Sequence, residues 1–326
     1  MSHAYDFTFR SMGSDIRFLI GAPLVPGTPT PDDAAQRERR FVLSFAARLS
    51  RFDPASELSL LNHDPRPVVP ASALLCAAVN AGVWAAQRTG GLVDPTLVDA
   101  IERTGYTSSR DESEPASLRD ALAQAPARAA AAPASGAVWA QVHVDPAEGT
   151  VSRPPGVKID TGGTGKGLCA DAVAHRLSGY TRYVVDCGGD IAVGGVGARL
   201  EPYEIEVEHP LTQQPIGAIR LGRGGIATSG MNVRIWRTEQ GDFAHHLLDP
   251  ATGRPVWSGL VGATAVAGSA LEAETLSKAA LLLGPAGARE VLAEQGGLII
   301  HDDGRVEAVG PLGLRRYDSS AVIAHA

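Results

Sequence analysis

One stretch, Asp160-Thr161-Gly162-Gly163-Thr164-Gly165-Lys166-Gly167, sets four glycines, a carboxylate and a lysine directly ahead of an amphipathic segment. A strand is expected at Val157 to Asp160 and a helix from Gly167 to Leu177, so the glycines must form the loop between them. A glycine loop opening a helix is suited to a polyphosphate. Lysine use supports that reading. Of 29 Lys and Arg residues only Lys158, Lys166 and Lys278 are lysines. A lysine in so arginine-rich a chain offers a compact, mobile ammonium that meets phosphate as a point charge.

The remaining bulk properties exclude more than they specify. A chain of 326 residues, 44% hydrophobic and 20% charged, is long enough for one large or two closely joined cores. A net charge of -7 without a long basic run argues against nucleic acid as the main partner. Cys76, Cys169 and Cys187 are too widely spaced for a disulfide framework or a CxxC metal site. Residues 1–6 carry no basic region followed by an apolar run, and no apolar span reaches membrane length. A cytoplasmic location is expected.

Along the chain, Phe7 to Ile20 reads as strand interrupted at Met12-Gly13-Ser14. A helix starts at Asp32 or Asp33 with Phe41, Phe45 and Leu49 on one stripe. A second, capped by Ser72, carries Leu75, Val79 and Val83 and stops at Gly90-Gly91. Residues 108–136 are rich in Ala, Pro and Ser and read as a flexible surface excursion holding a short helix, Leu118 to Ala123. Later strands are expected at Tyr183 to Asp186, Tyr203 to Glu208, Ile216 to Leu221, Val233 to Trp236, Phe243 to Leu248 and Val261 to Val266. Helices Glu272 to Leu283 and Pro285 to Gln295 precede a hairpin turned at Asp303-Gly304. Strands in succession with helices in clusters indicate α+β rather than a βαβ series, in a single domain over residues 1–326.

The loop itself fits two familiar patterns badly. A Walker A loop fails because Asp160 and Gly167 stand at its two ends. A Rossmann fingerprint, Gly165-x-Gly167-x-x-Ala170 with Asp186 beyond, satisfies the spacing. Lys166, however, fills the turn that should admit close backbone approach. A zinc site from His245, His246 and Asp249 is opposed by geometry, since adjacent strand residues face opposite ways. Phe52 suits stacking on a flat ring, Thr228 and Ser229 offer hydroxyls and amides, and His246 offers an imidazole that titrates near neutrality. Equally, the Asp-Pro pairs at 53, 94 and 249 read as turns, Ser56 to Asn62 as a capped helix start, and His246 as a hydrogen-bonded strand histidine.

Seven segments in order resemble the ApbE family of flavin transferases: Met12-Gly13-Ser14, the block Leu49 to Leu58, Val93-Asp94-Pro95-Thr96, the loop from Asp160 to Gly167, Gly188-Gly189-Asp190, Ala227 to Gly230, and His246 to Gly253. The resemblance spans Met12 to about Gly284. It implies an ApbE-like fold of mostly antiparallel mixed sheets with packed helices and an FAD site in a central cleft. The implied activity moves FMN from FAD to a Thr or Ser hydroxyl of an acceptor protein, releasing AMP, with Mg²⁺ at the pyrophosphate. Met12, Phe52, Asp94, Asp160, Lys166, Thr228, Ser229 and His246 would hold FAD. His246, Lys166 and Glu274 would serve catalysis, and Gly163 and Glu274 would bind the metal. A flavin-binding protein without transfer, or a nicotinamide-dependent oxidoreductase, stands as the alternative.

The resemblance breaks on the late helix, where Glu274 replaces a family Asp and Lys278 a family Thr ligand. A protonated lysine cannot ligate a metal. Glu274 and Lys278, four residues apart, would form either a surface ion pair or a site facing the pyrophosphate with altered metal dependence.

Overall fold

The computed structural model describes residues 5–109 and 116–317. Its spine is an eight-stranded sheet, β1 (Tyr5–Ser11), β2 (Ser14–Ile20), β3 (Tyr183–Cys187), β4 (Asp190–Gly194), β5 (Gly224–Gly230), β6 (Leu260–Ala267), β7 (Gly297–His301) and β8 (Val306–Val309). Strand order across the sheet equals chain order, and every neighbouring pair is antiparallel. That arrangement leaves no parallel βαβ unit for a dinucleotide fingerprint, so the Rossmann alternative falls.

Both faces of the sheet are covered, which is why β6 is apolar along nearly its whole length. On one face lie helices α1 (Pro31–Leu49), α2 (Glu57–His63), α3 (Ala73–Arg88), α4 (Gly165–Arg176) and α5 (Ala270–Leu292). Phe18, Val185 and Ala192 pack there with Val42, Phe45, Val79 and Val173, while Ala227, Ala265 and Ile299 pack with Leu276 and Ala280. On the other face Val184, Ile191, Val193 and Ile226 meet Val207, Ile219 and Leu221 of a three-stranded sheet formed by Tyr203–Glu208, Pro215–Leu221 and Leu314–Arg316. The period of two along β4 and β5 therefore turns Asp190 and Ser229 toward the helices and Thr228 away from them.

Local chemistry sets the helix ends. Thr30 accepts the Asp33 amide ahead of Pro31, so α1 starts slightly before the expected Asp32. Ser72 and Ser269 cap α3 and α5 in the same way. Within α5 the backbone breaks at Gly284, φ 71°, before Pro285, dividing it where two helices were expected. A Cβ at Gly284 would lie 2.6 Å from the Ser258 carbonyl oxygen, so both space and conformation require glycine.

Several expectations need correction. Residues 157–160 are not a strand: Asn62 binds both the amide and the carbonyl of Ile159, and the Asp160 amide donates to the Pro95 carbonyl. These partners take the backbone groups that a sheet would have used. Helix α4 begins at Gly165, not Gly167. Strands β4 and β5 were not expected, and Phe243–His245 ends before Leu248. Within the excursion expected near 108–136, residues 110–115 lie outside the described residues. The helix in its remainder is Leu118–Gln124, after which Ala129 and Ala131 donate to the Trp257 and Leu282 carbonyls and Ala132 to Asp249.

Candidate active site

The glycine loop lies where the two halves of the helix layer meet. Asp160 Oδ1 accepts the Gly162 amide at 2.9 Å, folding the loop back on itself, and the Thr161 carbonyl accepts from Gly165 at 2.7 Å to begin α4. The amides that open α4 are partly used, because the Gly167 amide donates to Glu274 Oε2 at 2.8 Å. A Cβ at Gly167 would sit 2.7 Å from the Ala270 carbonyl oxygen, so glycine is what lets α4 approach α5 this closely.

Two cavities meet at this loop. The larger, about 410 Å³, is lined by Met12, Phe52, Tyr106, Asp160, Lys166 and Arg234, among others. A smaller one of about 120 Å³ is lined by Asp94, Asp160, Gly163, Arg234, His246 and Lys278, among others. Asp160, Gly162, Tyr106 and Arg234 border both. Sequence reasoning thus nominated residues that converge, with three exceptions, Thr228, Ser229 and Glu274. Thr228 and Ser229 line neither cavity: Thr228 bonds Thr264 across the strands, and buried Ser229 bonds Ser277 on α5.

Each wall residue is held by local structure. Met12 occupies the left-handed region, φ 51°, in the two-residue turn joining β1 and β2, with Gly13 at 69°. Asp94 Oδ1 accepts both the amide and the hydroxyl of Thr96, an Asx turn that leaves its other oxygen to the cavity. Burial raises the Asp94 pKa against those two hydrogen bonds. Phe52 meets Tyr106 edge-on, and the Arg51 guanidinium lies over both rings, 4.2 and 4.7 Å from their centroids. Arg51 also stands 3.7 Å from Asp160, tying the aromatic wall to the glycine loop.

Beneath the loop lies a buried charge cluster. Lys166 Nζ pairs with Asp190 at 2.7 Å and donates to the Gly188 carbonyl at 3.1 Å; its side chain is 25% exposed and that of Asp190 2%. Burial works to lower the Lys166 pKa, but Asp190 and Glu274 outweigh it and hold the ammonium firmly charged. Glu274 is fully buried and receives Lys278 Nζ at 2.8 Å. Burial, reinforced by Asp190, pushes its carboxyl up to about 7 against the pull of Lys278 and Lys166. The Glu274–Lys278 pair is therefore internal, not the surface pair that its spacing also allowed.

The two histidines divide as strand geometry predicts. His245 is fully buried, edge-on to Trp257 at 4.9 Å. His246 faces the smaller cavity with Nδ1 3.3 Å from the Arg234 carbonyl. A carbonyl only accepts, so that contact places the proton on Nδ1 and leaves a lone pair on Nε2. Burial, with Arg234, His245 and Lys278 adding to it, holds the His246 pKa well below the ordinary value.

A divalent cation held by Gly163 and Glu274 does not fit this arrangement. Glu274 lines neither cavity, and its two oxygens already take the Gly167 amide and the Lys278 ammonium. The Lys278 chain runs between the two nominated ligands: its Cε lies 3.9 Å from where a Gly163 Cβ would be, and its Nζ is on Glu274. Among the described residues no group of three His, Cys, Asp or Glu side chains gathers elsewhere as a metal site. Sequence reasoning passed over Tyr106 and Arg234, and it gave no site role to Arg51 and Asp190, which it had only as members of matching segments. Asp190 had a readable signal, a carboxylate placed just after two glycines and at the head of an apolar strand, which burial obliges to find a cation.

The family model described as the ApbE family matches residues 12–300. The FAD:protein FMN transferase of Klebsiella pneumoniae is 28% identical over 255 residues, 76% of this chain and 70% of that protein. The FAD:protein FMN transferase of Haemophilus influenzae is 27% identical over 288 residues, 84% of this chain and 79% of its own. Among solved structures, the ApbE protein of Thermotoga maritima superposes with a TM-score of 0.74 at 25% identity, covering 94% of this chain and 97% of its own. Flavin transferase ApbE from Vibrio cholerae gives 0.73 at 22% identity, covering 95% and 98%, a likeness of fold.

Proposed function

The chain belongs to the ApbE family, and on that premise we propose that it is an FAD:protein FMN transferase whose joined cavities hold FAD. The observation that carries this reading is the convergence at one loop of two cavities and three cations, Lys166, Arg234 and Lys278. A dinucleotide has that form, two flat-ring halves joined by a diphosphate. Met12 and Phe52 suit a flat ring in the larger cavity. Asp94 and Asp160 present carboxylate oxygens to polar groups, and the cations surround the diphosphate at the junction. Thr228 and Ser229 are left out of the binding set.

In the reaction, the acceptor Thr or Ser oxygen attacks the phosphorus on the riboflavin side. A new phosphoester bond forms, the bond to the bridging oxygen breaks, and AMP leaves with that electron pair. His246 Nε2 takes the hydroxyl proton. In the free protein burial and nearby cations make it a weak base. The diphosphate brings negative charge that raises its pKa toward the working range. Lys166 and Arg234 neutralise charge on the phosphoryl oxygens, positioning and electrostatics being most of what such a transfer needs. Glu274, expected among the catalytic residues, is sealed behind the loop and acts as a positioning residue. No step is routed through a divalent cation.

The test incubates the full chain with FAD and a flavin-accepting domain. Covalently fluorescent acceptor and an equal amount of AMP are expected. His246→Ala should lower kcat by about 10²–10⁴-fold with FAD affinity nearly retained. FAD binding with neither product would instead mark a flavin-binding protein without transfer. No helix among the described residues is long and apolar enough to cross a membrane.

A further inference from the structure

Resting on the FAD reading of this site, we propose that the Lys278 ammonium is its built-in cation, so that this chain binds FAD and transfers FMN without a divalent metal. Three observations carry it. First, Lys278 lines the smaller cavity beside Asp160, Gly163 and His246, with its side chain only 13% exposed. Second, it threads the space between Gly163 and Glu274, the two groups that would have held a metal. Third, Glu274 is saturated by the Gly167 amide and Lys278, and it does not face the cavity. A metal entering there would have to break both bonds and push a like charge aside.

The ammonium is also oriented for the task. It has three N–H donors, and among the described residues it gives one, to Glu274 Oε1 at 2.8 Å. The others remain for oxygens in the cavity that Lys278 lines. Glu274 fixes the nitrogen as a positioning residue, and Arg234 supplies a second cation bordering both cavities. Lys166 gives two of its three N–H groups to Asp190 and the Gly188 carbonyl and so has one left for a phosphoryl oxygen where Lys278 has two.

The experiment measures FAD binding to the full chain by flavin fluorescence, in chelator and in millimolar Mg²⁺, with Mn²⁺ titrations of the FAD complex followed by electron paramagnetic resonance. FAD dissociation constants that agree within about twofold, and Mn²⁺ uptake no greater than that of FAD alone, are expected. Lys278→Ala should weaken FAD binding in chelator by about tenfold or more, the loss of one charge-assisted contact. Lys278→Thr should acquire dependence on Mg²⁺. Wild-type binding that requires metal, or stoichiometric Mn²⁺ uptake, would overturn the proposal while leaving the FAD site intact. Absence of FAD binding in both conditions would overturn the reading of the site and the proposal with it. Since the wild-type comparison needs no variant, a misfolded Lys278→Ala would not protect the idea.

Discussion

Replacing Asp190 by asparagine separates two roles of Lys166, one as a structural partner and one as a phosphate ligand. Asp190 is 2% exposed and meets the Lys166 ammonium at 2.7 Å. Removing one member of a buried pair costs about 3–5 kcal/mol when the survivor is stranded. Lys166 is not fully stranded, because the Gly188 carbonyl still accepts from it at 3.1 Å and a quarter of its side chain reaches solvent. A loss at or below the low end, about 2–3 kcal/mol, is therefore expected, equivalent to a fall of roughly 3–5 °C in melting temperature for a chain this long. Affinity for FAD should move the other way. With Asp190 neutral, the cluster carries one more net positive charge, and a bound diphosphate would replace the missing carboxylate. Asp190→Asn should thus melt earlier when free but gain more from saturating FAD than wild type does. Differential scanning calorimetry with and without FAD, alongside fluorescence titration, reads both quantities. A variant that loses stability and FAD affinity together would show that Lys166 serves the fold and not the phosphates.

Two further predictions follow from groups at the margin of the site. Burial pushes His245 down to about 4 from an ordinary 6.5, so its neutral form stabilises the fold above pH 6.5 and that contribution is lost as pH falls through 4. Relative to His245→Gln, wild type should lose about 3 kcal/mol between pH 7 and 4 in urea denaturation, and a constant difference would refute the assignment. Met12→Asn should stabilise the turn by about 0.5–1 kcal/mol, since asparagine tolerates positive φ and Asn-Gly is the preferred sequence for such a hairpin. The same change should weaken FAD binding through loss of the thioether from the larger cavity, and unchanged affinity would remove Met12 from the site.

Much of this was readable because the relevant signals are local. Ser72, the Met12-Gly13 turn and the Gly284-Pro285 break each act within a few residues, and each fixed an element end close to where the structure has it. Strands β4 and β5 were missed for the opposite reason. Gly224–Gly230 is glycine-rich and ends in Thr, Ser and Gly, so its own composition reads as a loop. What makes it a strand is pairing with β4 and β6, whose residues lie more than thirty positions away on either side. The same error displaced Thr228 and Ser229, since the face a side chain occupies is known only once the strand is. Residues 157–160 failed conversely, a strand-like alternation of apolar and charged residues whose backbone partners come from the Asn62 side chain and a distant carbonyl.

The two departures on α5 make physical sense only together. Lys278 alone would be an ammonium with 13% exposure and no anion beside it, a costly state for a lysine. Glu274 alone would be a wholly buried carboxylate, which already titrates high with its partner present. Spaced one helical turn apart, each resolves the other's desolvation, with the acid on the N-terminal side as the better orientation. Glutamate is also the right length. An aspartate at 274 would withdraw the carboxylate by roughly 1.5 Å, one carbon–carbon bond, from both the Gly167 amide and the ammonium. Since the Gly167 contact joins α5 to the glycine loop, the pair also holds that loop against the helix behind it. Lys278→Thr frees Oε1 of Glu274 for a cation while Oε2 stays on the Gly167 amide, so the Mg²⁺ dependence expected of that variant would rest on one carboxylate oxygen and leave the loop contact in place.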